Sequence, residues 1–129
     1  MKPDIRPARP NEAVDMYKAV FENTGTGTII IDHDMTILFA NATFEAMTGF
    51  SRAEIENIMK WSEFVVSEDL DRMQSYHYGR RKPGAVIPTE YECRIHDKAR
   101  NVHDIYMKVG MIPGSLKSIA SFMDITERK

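Results

Sequence analysis

The apolar positions of the chain change period along its length. In residues 87–95 the apolar members Ile87, Tyr91, Cys93 and Ile95 are all odd-numbered. In 102–112 so are Ile105, Met107, Val109 and Met111, with Asp104 and Lys108 between them. Period-two alternation predicts two half-buried strands, and the connecting Asp97-Lys98-Ala99-Arg100-Asn101 predicts a hairpin. Matching the apolar faces sets odd residues opposite odd ones, with Cys93 near Ile105. After Pro113-Gly114-Ser115 comes a further strand, 116–125. It carries apolar groups of both parities: Leu116, Ala120 and Phe122 against Ile119, Met123 and Ile125. That mixture predicts a central strand shielded on both faces.

Earlier in the chain, helical spacing alternates with short β-branched runs. Residues 1–10 hold Pro3, Pro7 and Pro10 and read as an extended leading segment. Asn11 is suited to an N-cap, and Ala13, Met16, Tyr17, Val20 and Phe21 make 12–22 an amphipathic helix, ended by Asn23-Thr24-Gly25-Thr26-Gly27. Thr28–Asp32 and Thr36–Ala40 predict a second hairpin around His33-Asp34-Met35. Asn41 can cap a short helix with Phe44 and Met47 on one side, closed by Gly49. Ser51-Arg52-Ala53-Glu54 is a capping box that opens another, with Ile55 and Ile58 inward. A longer helix begins at Ser67, where Glu68 and Asp69 suit its positive end. Leu70, Met73 and His77 share its face, and Gly79 with Pro83-Gly84 ends it.

Composition narrows the class. The 129 residues suit one domain, and 43% hydrophobic with 28% charged residues is ordinary for a globular protein. A net charge of −2 gives no basic field for nucleic acid or acidic lipid. Uninterrupted apolar runs such as Ile29-Ile30-Ile31 are too short to span a bilayer, and no secretory leader is visible after Met1. The expectation is a cytoplasmic domain with no direct membrane contact and no nucleic-acid partner. One cysteine excludes an internal disulfide framework.

Particular residues, read in this order of elements, resemble the PAS family. They are Ala19-Val20-Phe21-Glu22-Asn23-Thr24 before the first strand, Asp32 at the first turn, and Phe39-Ala40-Asn41-Ala42-Thr43-Phe44. Thr48-Gly49-Phe50-Ser51-Arg52-Ala53-Glu54 follows, and the terminal Asp124-Ile125-Thr126-Glu127-Arg128-Lys129 is similar to the ending of many sensory PAS domains. The resemblance implies an α+β fold. Its five-stranded antiparallel sheet, in the order 2-1-5-4-3, would carry short helices on one face and an N-terminal amphipathic helix. It implies a sensor domain over 11–126 and the start of an output linker helix at 127–129. Such domains detect a small ligand or partner and relay the result to an output module, here expected to be a histidine kinase of a two-component system. Asp124 and Thr126 resemble the family's junction pair, which relays the signal through hydrogen bonds. The domain alone is expected not to be an enzyme. Helix 12–22 is expected to form a homodimer.

Facing parity and helical spacing nominate Phe44, Met47, Trp61, Met73, His77, Tyr91, Cys93, Ile105, Met107 and Phe122 as ligand-facing residues. That set suits a small, mostly apolar, unidentified molecule with one polar handle, or a filled core that only relays. The alternative is a redox or gas sensor bearing haem or flavin. Flavin photochemistry is disfavoured because the stretch resembling the family's reactive-cysteine region, Lys60-Trp61-Ser62-Glu63-Phe64-Val65, has no cysteine. Haem would need His77 as axial ligand; its place near a helix C-terminus favours imidazolium, so it reads as a pocket-lining side chain. No metal is expected, since His96 and His103 would point to opposite faces of their hairpin. Cys93 reads as a buried inert thiol. Arg80-Arg81-Lys82 reads as a cationic helix end with some capacity to attract an anion. No Ser/His/Asp order or phosphate loop is present, and the acid pairs Asp32-Asp34 and Glu68-Asp69 read as turn and cap chemistry.

Overall fold

The computed structural model describes residues 19–128. Most of the expected helix 12–22 lies outside the described residues, which begin in helical backbone at 19–22. Then follow strands β1 (Gly27–Ile31) and β2 (Ile37–Ala40), helices α1 (Ala42–Thr48) and α2 (Arg52–Ile55), and a 3-10 turn (Trp61–Glu63). Helix α3 (Ser67–Gly79) leads to β3 (Glu90–His96), β4 (Val102–Met111), β5 (Ser118–Asp124) and a last 3-10 turn (Thr126–Arg128). The strands form one antiparallel sheet in the order β2-β1-β5-β4-β3. Its inner face is covered by the helices.

Period-two alternation governs the C-terminal hairpin as expected. Cys93 pairs with Ile105, and the odd residues Cys93, Ile95, Ile105, Met107 and Val109 are buried. The strand boundaries differ from the expected ones. β3 starts at Glu90 rather than Ile87, because Pro88 offers no backbone N–H to the ladder. β5 runs 118–124, since Leu116 belongs to the turn after Pro113-Gly114 and is exposed.

β5 is central, but not for the reason that its mixed parity suggested. Its even residues Ser118, Ala120 and Phe122 are buried, whereas Ile119 and Met123 are 38% and 44% exposed. Ile119 lies across from Ile30, which lies across from Phe39, itself 53% exposed. The outer sheet face thus carries an apolar row that is open among the described residues.

The helical layer follows local signals. Asn41 caps α1 by accepting from Phe44 N at 3.0 Å. The same oxygen accepts from Thr28 N, while Nδ2 donates to the carbonyls of Phe21 and Thr26. One buried amide therefore binds the start of α1 to the start of β1. Gly49 ends α1 with φ 78°, a left-handed conformation that a side chain resists. The Ser51/Glu54 capping box opens α2, and Ile55 is buried. Ile58 is not inward: the chain turns at 56–58, with Asn57 at φ 62°, and leaves Ile58 70% exposed. Asp69 does more than complement a helix end. It accepts from the N, Nε and Nη2 of Arg94, binding α3 to β3.

Candidate functional site

The inner sheet face and the helices meet in an aromatic cluster. Phe122 of β5 lies 5.4 Å from Phe44 of α1 and 5.1 Å from Trp61, ring centre to ring centre. Phe64 touches both Phe44 and Trp61 and also Phe50. Met73, Cys93, Ile105 and Met107 complete the buried cluster, with Met47 and Tyr91 partly buried against it. Of the residues nominated as ligand-facing, all but His77 are thus gathered at one core, where the aromatic side chains pack on one another.

Two open depressions, each about 350 Å³, lie elsewhere among the described residues. One runs between α1 and the β3–β4 turn (Met47, Gly49, Asp97, Lys98), the other over the outer sheet face (Lys108, Gly110, Ile119, Ser121). Of the expected ligand-facing residues, only Met47 lines either one.

His77 sits at the core margin, 4% exposed, with Nε2 2.9 Å from the carbonyl oxygen of His33. Burial holds its pKa down at about 4, with Arg81 and Arg80 pushing the same way against the raising effect of that hydrogen bond. The imidazolium expected from the helix C-terminus is therefore overturned: desolvation outweighs the dipole, and the ring is neutral near pH 7. Neutral Nε2–H donates to His33. An iron atom at Nε2 would have to displace that bond.

The other chemistry-bearing residues are engaged in structure. Burial pushes the Cys93 thiol up to about 12, and its Sγ lies 3.6 Å from Met107 Sδ. A thiol so protonated is a weak nucleophile. Arg81 donates to the carbonyls of His77 and Leu116 and to Ser118 Oγ, which fastens the end of α3 to the start of β5. Arg80 donates to Tyr91 Oη at 2.8 Å. Asp32 and Asp34 accept from the backbone of His33 and Thr36 within their turn. His103 pairs with Ile95 and His96 with Val102, adjacent ladder positions whose side chains take opposite faces. Among the described residues no three His, Cys, Asp or Glu side chains gather as a metal site, and no helix is long and apolar enough to cross a membrane.

Asp124 and Thr126 are hydrogen-bonded to one another at the end of β5. Thr126 donates to Asp124 Oδ1 through N at 3.0 Å and Oγ1 at 2.5 Å, and Asp104 N donates to Thr126 Oγ1. Ile125 N donates to the carbonyl of Asp104. Sequence reasoning missed three parts of this picture. Phe64 was unmarked, because residues 60–66 follow neither helical nor strand period. Local sequence marks Asn41 only as a helix cap. Nothing in the spacing of His103 marks its bond to Asp124, although it stands beside Asp104 on the strand next to β5.

A five-stranded antiparallel sheet in this order, with helices on one face, is the PAS architecture. The sequence profile of the PAS fold matches residues 15–81, just over half of the chain, and the chain belongs to that family. Domains of the family are generally sensory, non-catalytic modules. A PAS domain from Colwellia psychrerythraea superposes with a TM-score of 0.75 at 16% identity, covering 90% of this chain and 99% of that one. The PAS domain of an HTR-like protein from Haloarcula marismortui gives 0.69 at 20% identity, covering 89% and 93%. A domain of a sensory box sensor histidine kinase/response regulator from Geobacter sulfurreducens gives 0.68 at 17% identity, covering 90% and 97%. At these identities the likeness concerns the fold. No curated protein matches the chain.

Proposed function

We propose that this PAS domain is a cytoplasmic relay in a longer signalling chain. A small apolar ligand or a protein partner biases the packing of its core, and β5 passes the bias to an output module, a histidine kinase. One observation carries the reading: Phe122, packed on Phe44 and Trp61, and Asp124, which holds Thr126, stand on the same central strand. A repacking at Phe122 therefore displaces the junction through two residues of hydrogen-bonded backbone. A ligand shifts such an equilibrium only by its differential affinity for the two packings. Sensor histidine kinase domains among the structural neighbours support the choice of output.

The close ring-to-ring packing of the aromatic core favours a second reading, in which no small molecule enters and a partner surface supplies the bias. The open outer face (Phe39, Ile30, Ile119) suits the apolar stripe expected of 12–22 from a second copy. Sedimentation at high micromolar concentration then gives a dimer; a monomer rejects that part. Haem is disfavoured by the bond of His77 to His33, and cysteine-based flavin photochemistry by the absence of cysteine in 60–65.

The test is a fusion of this chain to a histidine kinase core, with Phe122→Leu and Thr126→Ala compared for autophosphorylation. The reading expects each variant to shift basal activity at least severalfold while the domain stays folded. Unchanged activity in both folded variants rejects the relay.

A further inference from the structure

His103 lies near the start of β4, where the end of the sheet, the β3–β4 turn and the exit of β5 meet. Its Nε2 is 2.8 Å from Asp97 Oδ2 in that turn, and its Nδ1 is 2.6 Å from Asp124 Oδ2 at the end of β5. Ionised carboxylates only accept hydrogen bonds, so both ring nitrogens must donate. Imidazolium alone carries a proton on each. A neutral ring would turn a lone pair against one of the two carboxylates. Asp124 meanwhile holds Thr126 with its other oxygen, and Asp97 Oδ1 accepts from Asn101 N at 2.8 Å.

We propose that His103 is a proton-operated clasp: protonated, it ties the β3–β4 turn to the end of β5, and losing its proton it frees the exit segment. Its meaning for signalling rests on the relay reading; the clasp itself does not.

The surrounding charges fit this role. Asp97 and Asp124 face the ring from the turn and from β5. Of the two cations in the same turn, Lys98 is committed to Glu54 at 2.7 Å and Arg100 is exposed. Asp104 is the next residue of β4, and Glu127 and Arg128 follow in the exposed last turn. The ring is 22% exposed, sheltered enough for its bonds to count and open enough to exchange a proton with water. Partial burial pulls its pKa down, but the bonds to Asp97 and Asp124 outweigh that and leave it raised above 6.5. Asp97 is lowered, chiefly by the bond from His103. For a raised histidine the bound proton is retained throughout the acidic side of 6.5 and lost as pH climbs through the folded value. The clasp is therefore closed on the acidic side of 6.5 and opens as pH climbs through the folded value.

Nitrogen-15 NMR of the 129-residue chain reads the ring directly. At pH 6.5 both ring nitrogens of His103 should carry protons, with a titration midpoint above the free-imidazole value. Amide exchange at Thr126, corrected for its intrinsic pH dependence, should accelerate roughly tenfold across that midpoint, as loss of one charge-assisted hydrogen bond implies. His103→Gln should make the corrected exchange independent of pH, and Asp97→Asn should lower the midpoint. A ring neutral at pH 6.5 overturns the proposal, as does corrected Thr126 exchange that stays flat in the unmodified chain. Both readouts concern the domain alone, so they succeed or fail separately from kinase output in the fusion.

Discussion

Phe122 and Asp124 stand on one strand, with a single residue between them, yet different forces hold them. Phe122 is 1% exposed and wedged among aromatic rings, where dispersion and exclusion of water fix it and neither salt nor pH has much purchase. Asp124 is partly solvated and is held by hydrogen bonds from Thr126 and His103. The two histidines repeat the contrast. His77, in the core, is kept neutral by burial, while His103, at the exit, has its pKa raised by the bonds to two carboxylates against the pull of partial burial. The difference suggests a division of labour: a stiff body that registers packing, and a polar latch weak enough to move.

The sharpest way to break the contrast is to hollow the core. Phe122→Ala should cost about 3–5 kcal/mol in urea unfolding, whereas Met123→Ala on the open face should stay within about 0.5 kcal/mol. Similar losses at both positions would mean that the outer face is covered in solution and the core is not special.

A smaller effect comes from pH. A free histidine takes up a proton near 6.5, but folded His77 resists until about 4. The unfolded chain binds more protons in that window, so stability is full above 6.5 and falls as the solution is acidified. About 2 kcal/mol should be lost between pH 6.5 and 5, before the carboxylates titrate appreciably. His77→Gln should flatten the slope; an unchanged slope would place the cause elsewhere. His103 acts in the opposite direction and above 6.5, so the two histidines bound a stability maximum near neutrality. Its contribution is the smaller, because the ring is partly exposed.

How much of this was legible in the sequence depended on the range of the signal. Residue-to-residue alternation revealed the hairpin pairing of Cys93 with Ile105, and local capping chemistry at Asn41, Ser51 and Gly49 revealed the helix ends. The order of the strands came from resemblance, since no local rule says which strand lies beside which. Parity along 116–125 led to a correct place for an incorrect reason: Ile119 and Met123 are apolar but uncovered. Phe64 escaped notice because an irregular segment has no period to read. The bonds of His103 to Asp97 and Asp124 join three separate stretches of chain, and only the folded register brings them within reach.

Relay through β5 requires mechanical continuity between the packed rings and the junction. Phe122→Leu, a substitution small enough to keep the fold, tests it when two-dimensional NMR follows the Thr126 amide and the His103 ring. The expected result is a clear shift of both signals together with those of Phe44 and Trp61. If the rings near Phe122 respond while Thr126 and His103 stay where they were, β5 does not carry the message.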